Sequence, residues 1–215
     1  MQVFLVPVTP FQQNCAVLRC EQTGEGAIVD PGGDLDAVLA VVQREKVKVV
    51  KILLTHGHLD HAGAAGELAE RLSLEIIGPH AEDQFWLDSM ERQGQMFGVS
   101  GAHPCTPDQY LQEGDAVQVG QVELQVLHCP GHTPGHVAFF DDASRTVLVG
   151  DLLFCGSIGR SDFPRSDPAA LIRSLMEKIL PLGDDVTFHC GHGPSGNLGH
   201  ERATNPFLQM APNQD

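Results

Sequence analysis

Val49-Val50-Lys51-Ile52-Leu53-Leu54 runs without a break into Thr55-His56-Gly57-His58-Leu59-Asp60-His61. The first six residues form an apolar run of strand length, which predicts a buried central strand. Periodicity over 62–72 predicts a helix directly after it. Four ligand-capable side chains therefore sit at one strand-to-helix junction. His56 and His58 are two apart, so in an extended stretch they point the same way. Asp60 and His61 follow where the chain has turned and can face a second point. Imidazole and carboxylate donors suit zinc, and also iron or manganese; no thiolate narrows the choice.

Working outward, short strands are expected at 3–8, 16–20 and 27–29, broken by Pro10, Gly24 and Gly26. Asp30-Pro31-Gly32-Gly33 reads as a turn. Asp34 then opens an amphipathic helix with Leu35, Val38, Leu39 and Val42 on one face. Beyond the histidine cluster, 80–90 suggests another helix. Residues 93–107, with Gly94, Gly98, Gly101, Pro104 and Pro107, suggest an irregular surface excursion. Strands at 117–119 and 122–127 flank Gly120-Gln121, a linker fit for a tight hairpin. Further strands are expected at 137–140, 146–149 and 186–188. Asp167-Pro168 starts a helix that buries Leu171, Ile172, Leu175 and Met176 as far as Ile179. The tail after Gly199 is short. Groups of strands alternating with single helices predict an α+β chain: an αββα sandwich of two mixed β-sheets flanked by helices, one domain over 1–215.

Composition agrees with a soluble globular chain, with 42% apolar and 19% charged residues. The formal charge of −15 repels phosphate backbones and anionic lipid heads, which argues against nucleic-acid and membrane partners, and it retains metal cations. Six scattered cysteines contain no CxxC pair, so a thiolate zinc site and a disulfide framework are not expected. With no basic n-region and no apolar run of spanning length, the expected location is the cytoplasm, with free thiols.

Three more segments repeat the form of a polar donor in a glycine-rich turn just after a strand. They are His132 in Cys129-Pro130-Gly131-His132-Thr133-Pro134-Gly135-His136, Asp151 in Gly150-Asp151, and His192 in Gly191-His192-Gly193-Pro194. Loops at the ends of rigid strands are where catalytic groups collect. In this order, behind the HxHxDH stretch, the set resembles the metallo-β-lactamase-fold hydrolases, and within them glyoxalase II, the hydroxyacylglutathione hydrolases. The resemblance extends to Val29-Asp30-Pro31-Gly32 and to the 150–163 segment of the short members. It implies two divalent metal ions, zinc first, with iron or manganese also admitted. His56, His58 and His132 would bind one; Asp60, His61 and His192 the other; Asp151 would bridge them. Asp30 and His136 would support the ligands without coordinating. Arg160 would hold a carboxylate of glutathione. His80, His103, His128, His189 and His200 have no motif support. Cys190 stands where the family usually has proline and reads as a buried thiol.

The implied reaction is thioester hydrolysis, with S-lactoylglutathione or a related S-acylglutathione as the small-molecule substrate. A hydroxide bridging two metals would attack, and Asp60 would orient it. The stretch after His192 is too short for the helical region with which larger members hold glutathione. The 159–163 segment is also similar to that of mononuclear iron persulfide dioxygenases, which would act on glutathione persulfide through His56, His132 and Asp151. A non-catalytic metal-binding module is the third reading, and β-lactam hydrolysis rests on fold alone.

Overall fold

The computed structural model describes residues 1–209. In its first half β1 (Gln2–Val8), β2 (Gln13–Arg19), β3 (Glu25–Val29), β4 (Lys48–Leu53) and β5 (Ile76–Ile77) form one sheet in that order. Its first two pairings are antiparallel and its last two parallel. Helices α1 (Leu35–Arg44), α2 (Leu59–Ala62), α3 (Ala65–Leu72), α4 (Gln84–Asp88) and α5 (Met90–Phe97) belong to the same half. The second half contributes β6 (Ala116–Val119), β7 (Val122–His128), β8 (Val137–Asp141), β9 (Thr146–Gly150), a small hairpin of β10 (Leu153–Phe154) and β11 (Ser157–Ile158), β12 (Thr187–Cys190) and β13 (Gly196–Asn197). Its sheet has the order β13-β12-β9-β8-β7-β6 and is also mixed, with β9 and β12 parallel. Helices α6 (Pro168–Ser174), α7 (Leu198–Thr204) and α8 (Pro206–Gln209) complete the chain as described.

Alternation along single strands separates the layers. On β2, Ala16 and Leu18 face the space between the sheets, whereas Cys15 and Val17 face the helices of the first half. On β8, Val137 and Phe139 meet the first sheet, whereas Ala138 and Phe140 pack with Leu171, Leu175 and Ile179 outside. Period-two alternation of this kind, with both faces apolar, is what a sheet buried on both sides requires. The result is the expected sandwich of two mixed sheets with helices outside.

Strand direction places the loops that carry donors. β7 and β9 both run antiparallel to β8, and β12 runs parallel to β9. Their C-terminal ends therefore meet at one edge of the sheet. The first sheet brings the ends of its parallel pair β3 and β4 to the same place: Val137 N–H donates to Thr55 carbonyl at 2.8 Å, and Asn14 N–H to Gly191 carbonyl at 2.7 Å.

Several expectations are corrected. The helix expected over 62–72 is two helices, because the 30–33 turn wedges against α2; a Cβ on Gly32 would lie 1.5 Å from the Asp60 carbonyl oxygen. Ala64 N–H leaves the helical ladder to donate to the Pro31 carbonyl at 3.1 Å. The 93–107 excursion begins inside α5, which ends at Gly98, and Ala102 and Cys105 then return to the core. β4 is buried only toward its C-terminal end, because two-residue β5 covers Ile52 and Leu53 and leaves the start of the strand at an edge. Met176 is exposed: a π-helical turn over Leu175–Ile179 carries Ile179 inward in its stead. The tail after Gly199 docks through Glu201, which is buried and accepts from Gly156 N–H and Asn205 Nδ2.

Candidate metal centre

Five imidazoles and two carboxylates meet at the shared edge. His56, His58 and His132 form one group of converging donors, and Asp60, His61 and His192 another. Asp151 lies between them. Its Oδ1 is 3.3 Å from His61 Nε2, and its Oδ2 is 3.5 Å from His192 Nε2 and 3.7 Å from His132 Nε2. Asp60 Oδ2 is 3.2 Å from His192 Nε2 and 3.9 Å from His61 Nε2.

The outward nitrogens fix the tautomers. His132 Nδ1 is 2.7 Å from the Arg160 carbonyl and His192 Nδ1 is 3.2 Å from the Phe11 carbonyl; a carbonyl only accepts, so both nitrogens carry hydrogen. His61 Nδ1 donates to Asp30 Oδ2 at 2.9 Å. Thr55 Oγ1 gives its proton to Asp30 Oδ2 at 2.6 Å and so accepts from His56 Nδ1 at 3.0 Å. Four Nε2 atoms consequently aim inward. His58 is reversed: its Nδ1 lies 3.1 Å from His56 Nε2 and 3.0 Å from His132 Nε2. One proton on His58 Nδ1 can satisfy only one of those two lone pairs.

Protein groups alone leave this centre unsatisfied, and bound cations would satisfy it. His61 Nε2 and Asp151 Oδ1 are buried and 3.3 Å apart without a well-directed hydrogen bond between them, a costly state that a bound cation would relieve. Outward imidazole N–H groups held by carboxylate or carbonyl are the arrangement that orients histidine toward a metal. The backbone leaves room for it: a Cβ on Gly191 would lie 2.1 Å from Asp151 Oδ1 and 2.6 Å from His61 Cε1.

Electrostatics express the same frustration. Burial alone would lower His61, but the Asp151 and Asp60 carboxylates outweigh it and hold the imidazole well above the ordinary histidine range. Burial also opposes the charge on His192, and hydrogen bonds to Asp151 and Asp60 nonetheless raise it to about 9. Asp151 is held well below the carboxylate range because His61 and His192 overcome its burial. His56 and His58, buried beside other imidazoles, are pushed well down and stay neutral.

The remaining expected residues have distinct places. Asp30 is buried and bonds Thr55 N–H, Thr55 Oγ1 and His61. His136 accepts Asp151 N–H on Nε2 at 3.1 Å and stacks on His56, with ring centroids 4.8 Å apart. Arg160 lies at the rim, paired with Asp162 at 2.9 Å and stacked over Phe163. Cys190 is buried; its thiol, pushed up to about 12 mainly by burial, points at the His192 carbonyl.

Two buried residues outside any motif hold the His56–His61 loop. Asp83 accepts from Gly57 N–H at 2.9 Å, Thr133 Oγ1 at 2.7 Å and Gly135 N–H at 2.6 Å, tying that loop to the His132 loop. Gln93 accepts Leu59 N–H and donates to the Gly57 and Trp86 carbonyls. Sequence gives little signal for either: Asp83 is a polar residue in a stretch expected to be helical, and Gln93 opens the stretch expected to be irregular.

This chain belongs to the metallo-beta-lactamase superfamily, whose family model matches residues 8–192. It is a metallo-hydrolase of that superfamily, and its histidine and aspartate groups support divalent-metal binding. It is 40% identical over 209 residues to hydroxyacylglutathione hydrolase GloC of Haemophilus influenzae, covering 97% of this chain and 98% of that one. Among solved structures it resembles BLEG-1 B3 metallo-beta-lactamase, with TM-score 0.89, 33% identity, and 96% and 99% of the two chains covered. It also resembles TTHA1623 in a di-iron-bound form, with TM-score 0.87, 39% identity, and 96% and 100% covered.

Proposed function

We propose that this chain hydrolyses thioesters of glutathione, with S-lactoylglutathione or a related S-acylglutathione as substrate. The observation that carries the proposal is Asp151, set between two donor groups beneath an open cavity. In this reading His56, His58 and His132 would hold one divalent cation, Asp60, His61 and His192 would hold a second, and Asp151 would serve both. When bound, such a pair acidifies a water for nucleophilic attack and polarises the carbonyl under attack. Asp60 would accept a hydrogen bond from the attacking water and so aim its lone pair. Asp30, through Thr55 and His61, keeps two imidazoles facing inward. His136 holds the Asp151 backbone. A thiolate leaves without prior protonation, so the reaction needs no dedicated acid. Arg160 can exchange Asp162 for a substrate carboxylate.

The identity to the GloC enzyme supports the thioester, and zinc is the proposed metal. Iron is the alternative that the di-iron-bound relative supports. The six free thiols suit a reducing cytoplasm. The test is turnover of S-lactoylglutathione by protein reconstituted with one metal at a time, beside Asp151→Ala. Turnover should fall by at least a thousandfold in the variant; wild-type rates in it would reject the shared-carboxylate centre. The likeness to BLEG-1 supports β-lactam hydrolysis as a second reading, and cleavage of a chromogenic cephalosporin at rates above the thioester would favour it. Oxygen uptake with glutathione persulfide would favour a dioxygenase instead.

A further inference from the structure

The cavity over the donors has a volume of about 970 Å³, and its walls are mostly apolar. Trp86 and Phe163 stand at its floor: their rings lie 4.6 Å and 4.8 Å from the ring of His58. Its rim is formed by Phe11, Met96 and Phe97. These three rim residues are exposed by 37%, 68% and 50%. Among the described residues the other large exposed apolar side chains are Met176 and Phe207, and neither lines the cavity. Three from two separate segments therefore gather at one opening, and concentrated apolar exposure of this kind marks a binding surface.

The placement follows from the elements. Ser89, Arg92, Gln93 and Met96 recur at helical spacing, so one face of α5 lines the cavity while Met90 turns to the core. Phe11 comes from the β1–β2 turn and meets Phe97 edge to face, with centroids 5.7 Å apart. Its carbonyl also anchors His192, so the rim is continuous with the donors. Of the two cationic side chains on the wall, Arg160 is already matched by Asp162. A lactoyl group is small and carries a hydroxyl; it would leave this apolar wall in contact with water.

We propose that the preferred acyl group is apolar and several carbons long, lying along Phe11, Met96 and Phe97. This rests on the thioester-hydrolase reading and narrows it. Water adds its oxygen to the carbonyl carbon, the C–S bond breaks, and the products are a free carboxylic acid and the thiol. The polar thiol portion points away from the apolar wall, toward Arg160 and solvent.

The test uses two series on the whole chain. In the first, kcat/KM is measured for S-acylglutathiones from acetyl to octanoyl. It should rise roughly fourfold per methylene while the chain remains on the wall. In the second, non-hydrolysable S-alkylglutathiones are titrated against the emission of Trp86, the only tryptophan. Kd should fall with length in the same way, with no turnover required. Met96→Ser and Phe97→Ser should flatten both slopes, and Phe207→Ser, away from the cavity, should keep them. A flat series alongside brisk S-lactoylglutathione hydrolysis overturns the inference and leaves the hydrolase reading standing. Length-dependent binding without hydrolysis of any thioester keeps the apolar wall and defeats the hydrolase reading. A dimer that dissociates in Met96→Ser, with flat slopes, assigns the patch to a second copy and overturns the inference.

Discussion

Asp30 shows how much one carboxylate can organise. Its Oδ2 takes the Thr55 hydroxyl and His61 Nδ1, so it governs the tautomer of His61 directly and that of His56 through Thr55. Asp30→Asn leaves a single oxygen for these donors, and zinc affinity should drop by about 10–100-fold. Competition against a chromophoric chelator measures it; unchanged affinity would show that the imidazoles are held by packing alone. His192 makes a second prediction. Its pKa of about 9 in the metal-free protein means that it is protonated at neutral pH, and a bound cation must displace that proton. Apparent affinity should therefore rise with pH through about 9, and the raised His61 in the same donor group adds to the rise. Calorimetry in buffers of different ionisation enthalpy should detect the released proton. The donors were legible in sequence because histidine and aspartate in glycine-flanked turns after strands are rarely there for packing. Asp83 and Gln93 were not, because an aspartate in an expected helix and a glutamine at the start of an expected surface excursion both read as solvated. Only the long-range closure of the fold reveals what these two hold.

Among the elements, the short helical segments around α4 and α5 do most to shape the centre without supplying a donor. Asp83 stands at the head of α4, and burial pushes its carboxyl up to about 6 despite three hydrogen bonds. An unfolded aspartate titrates near about 3.9. Between those values the folded chain keeps a proton that the unfolded chain has lost. Stability contributed by this group is thus present at low pH and falls as pH rises through about 6, by about 3 kcal/mol in all. Asp83→Asn, neutral throughout, should lack that decline. Urea midpoints of both proteins at pH 4.5 and 6.5 give the comparison, and parallel pH dependence would contradict it. The sequence indicated a helix opened by Asp34 and others at 62–72 and 80–90 but missed how they break. A break at Gly63–Ala64 depends on the Pro31 carbonyl, which lies far away in the chain. The helical start of 93–107 was hidden for a related reason: its glycines read as loop, whereas Gly94 is buried in the helix against the Val99 carbonyl.

At the scale of the molecule, the two sheets were legible because their longer strands are apolar runs bounded by turn residues, whereas two-residue β10, β11 and β13 were too short to show. Their face-to-face contact depends on residues such as Phe139, fully buried between them. Phe139→Ala should cost about 3–5 kcal/mol by denaturant titration. A cost below 1 kcal/mol would mean that the sheets collapse readily onto the space left. Donors come from both sheets, so occupancy also joins the halves. Chelation should lower the melting temperature, and restoring zinc at a hundredfold excess over Kd should recover about 2.7 kcal/mol. Calorimetric scans with and without chelator test this. The rim of the cavity behaves differently. Phe11, Met96 and Phe97 ligate nothing and do not hold the sheets together. Descendants of this chain could therefore change those positions, and with them the cargo admitted, while the reaction itself stayed as it was; diversification among relatives should be concentrated there.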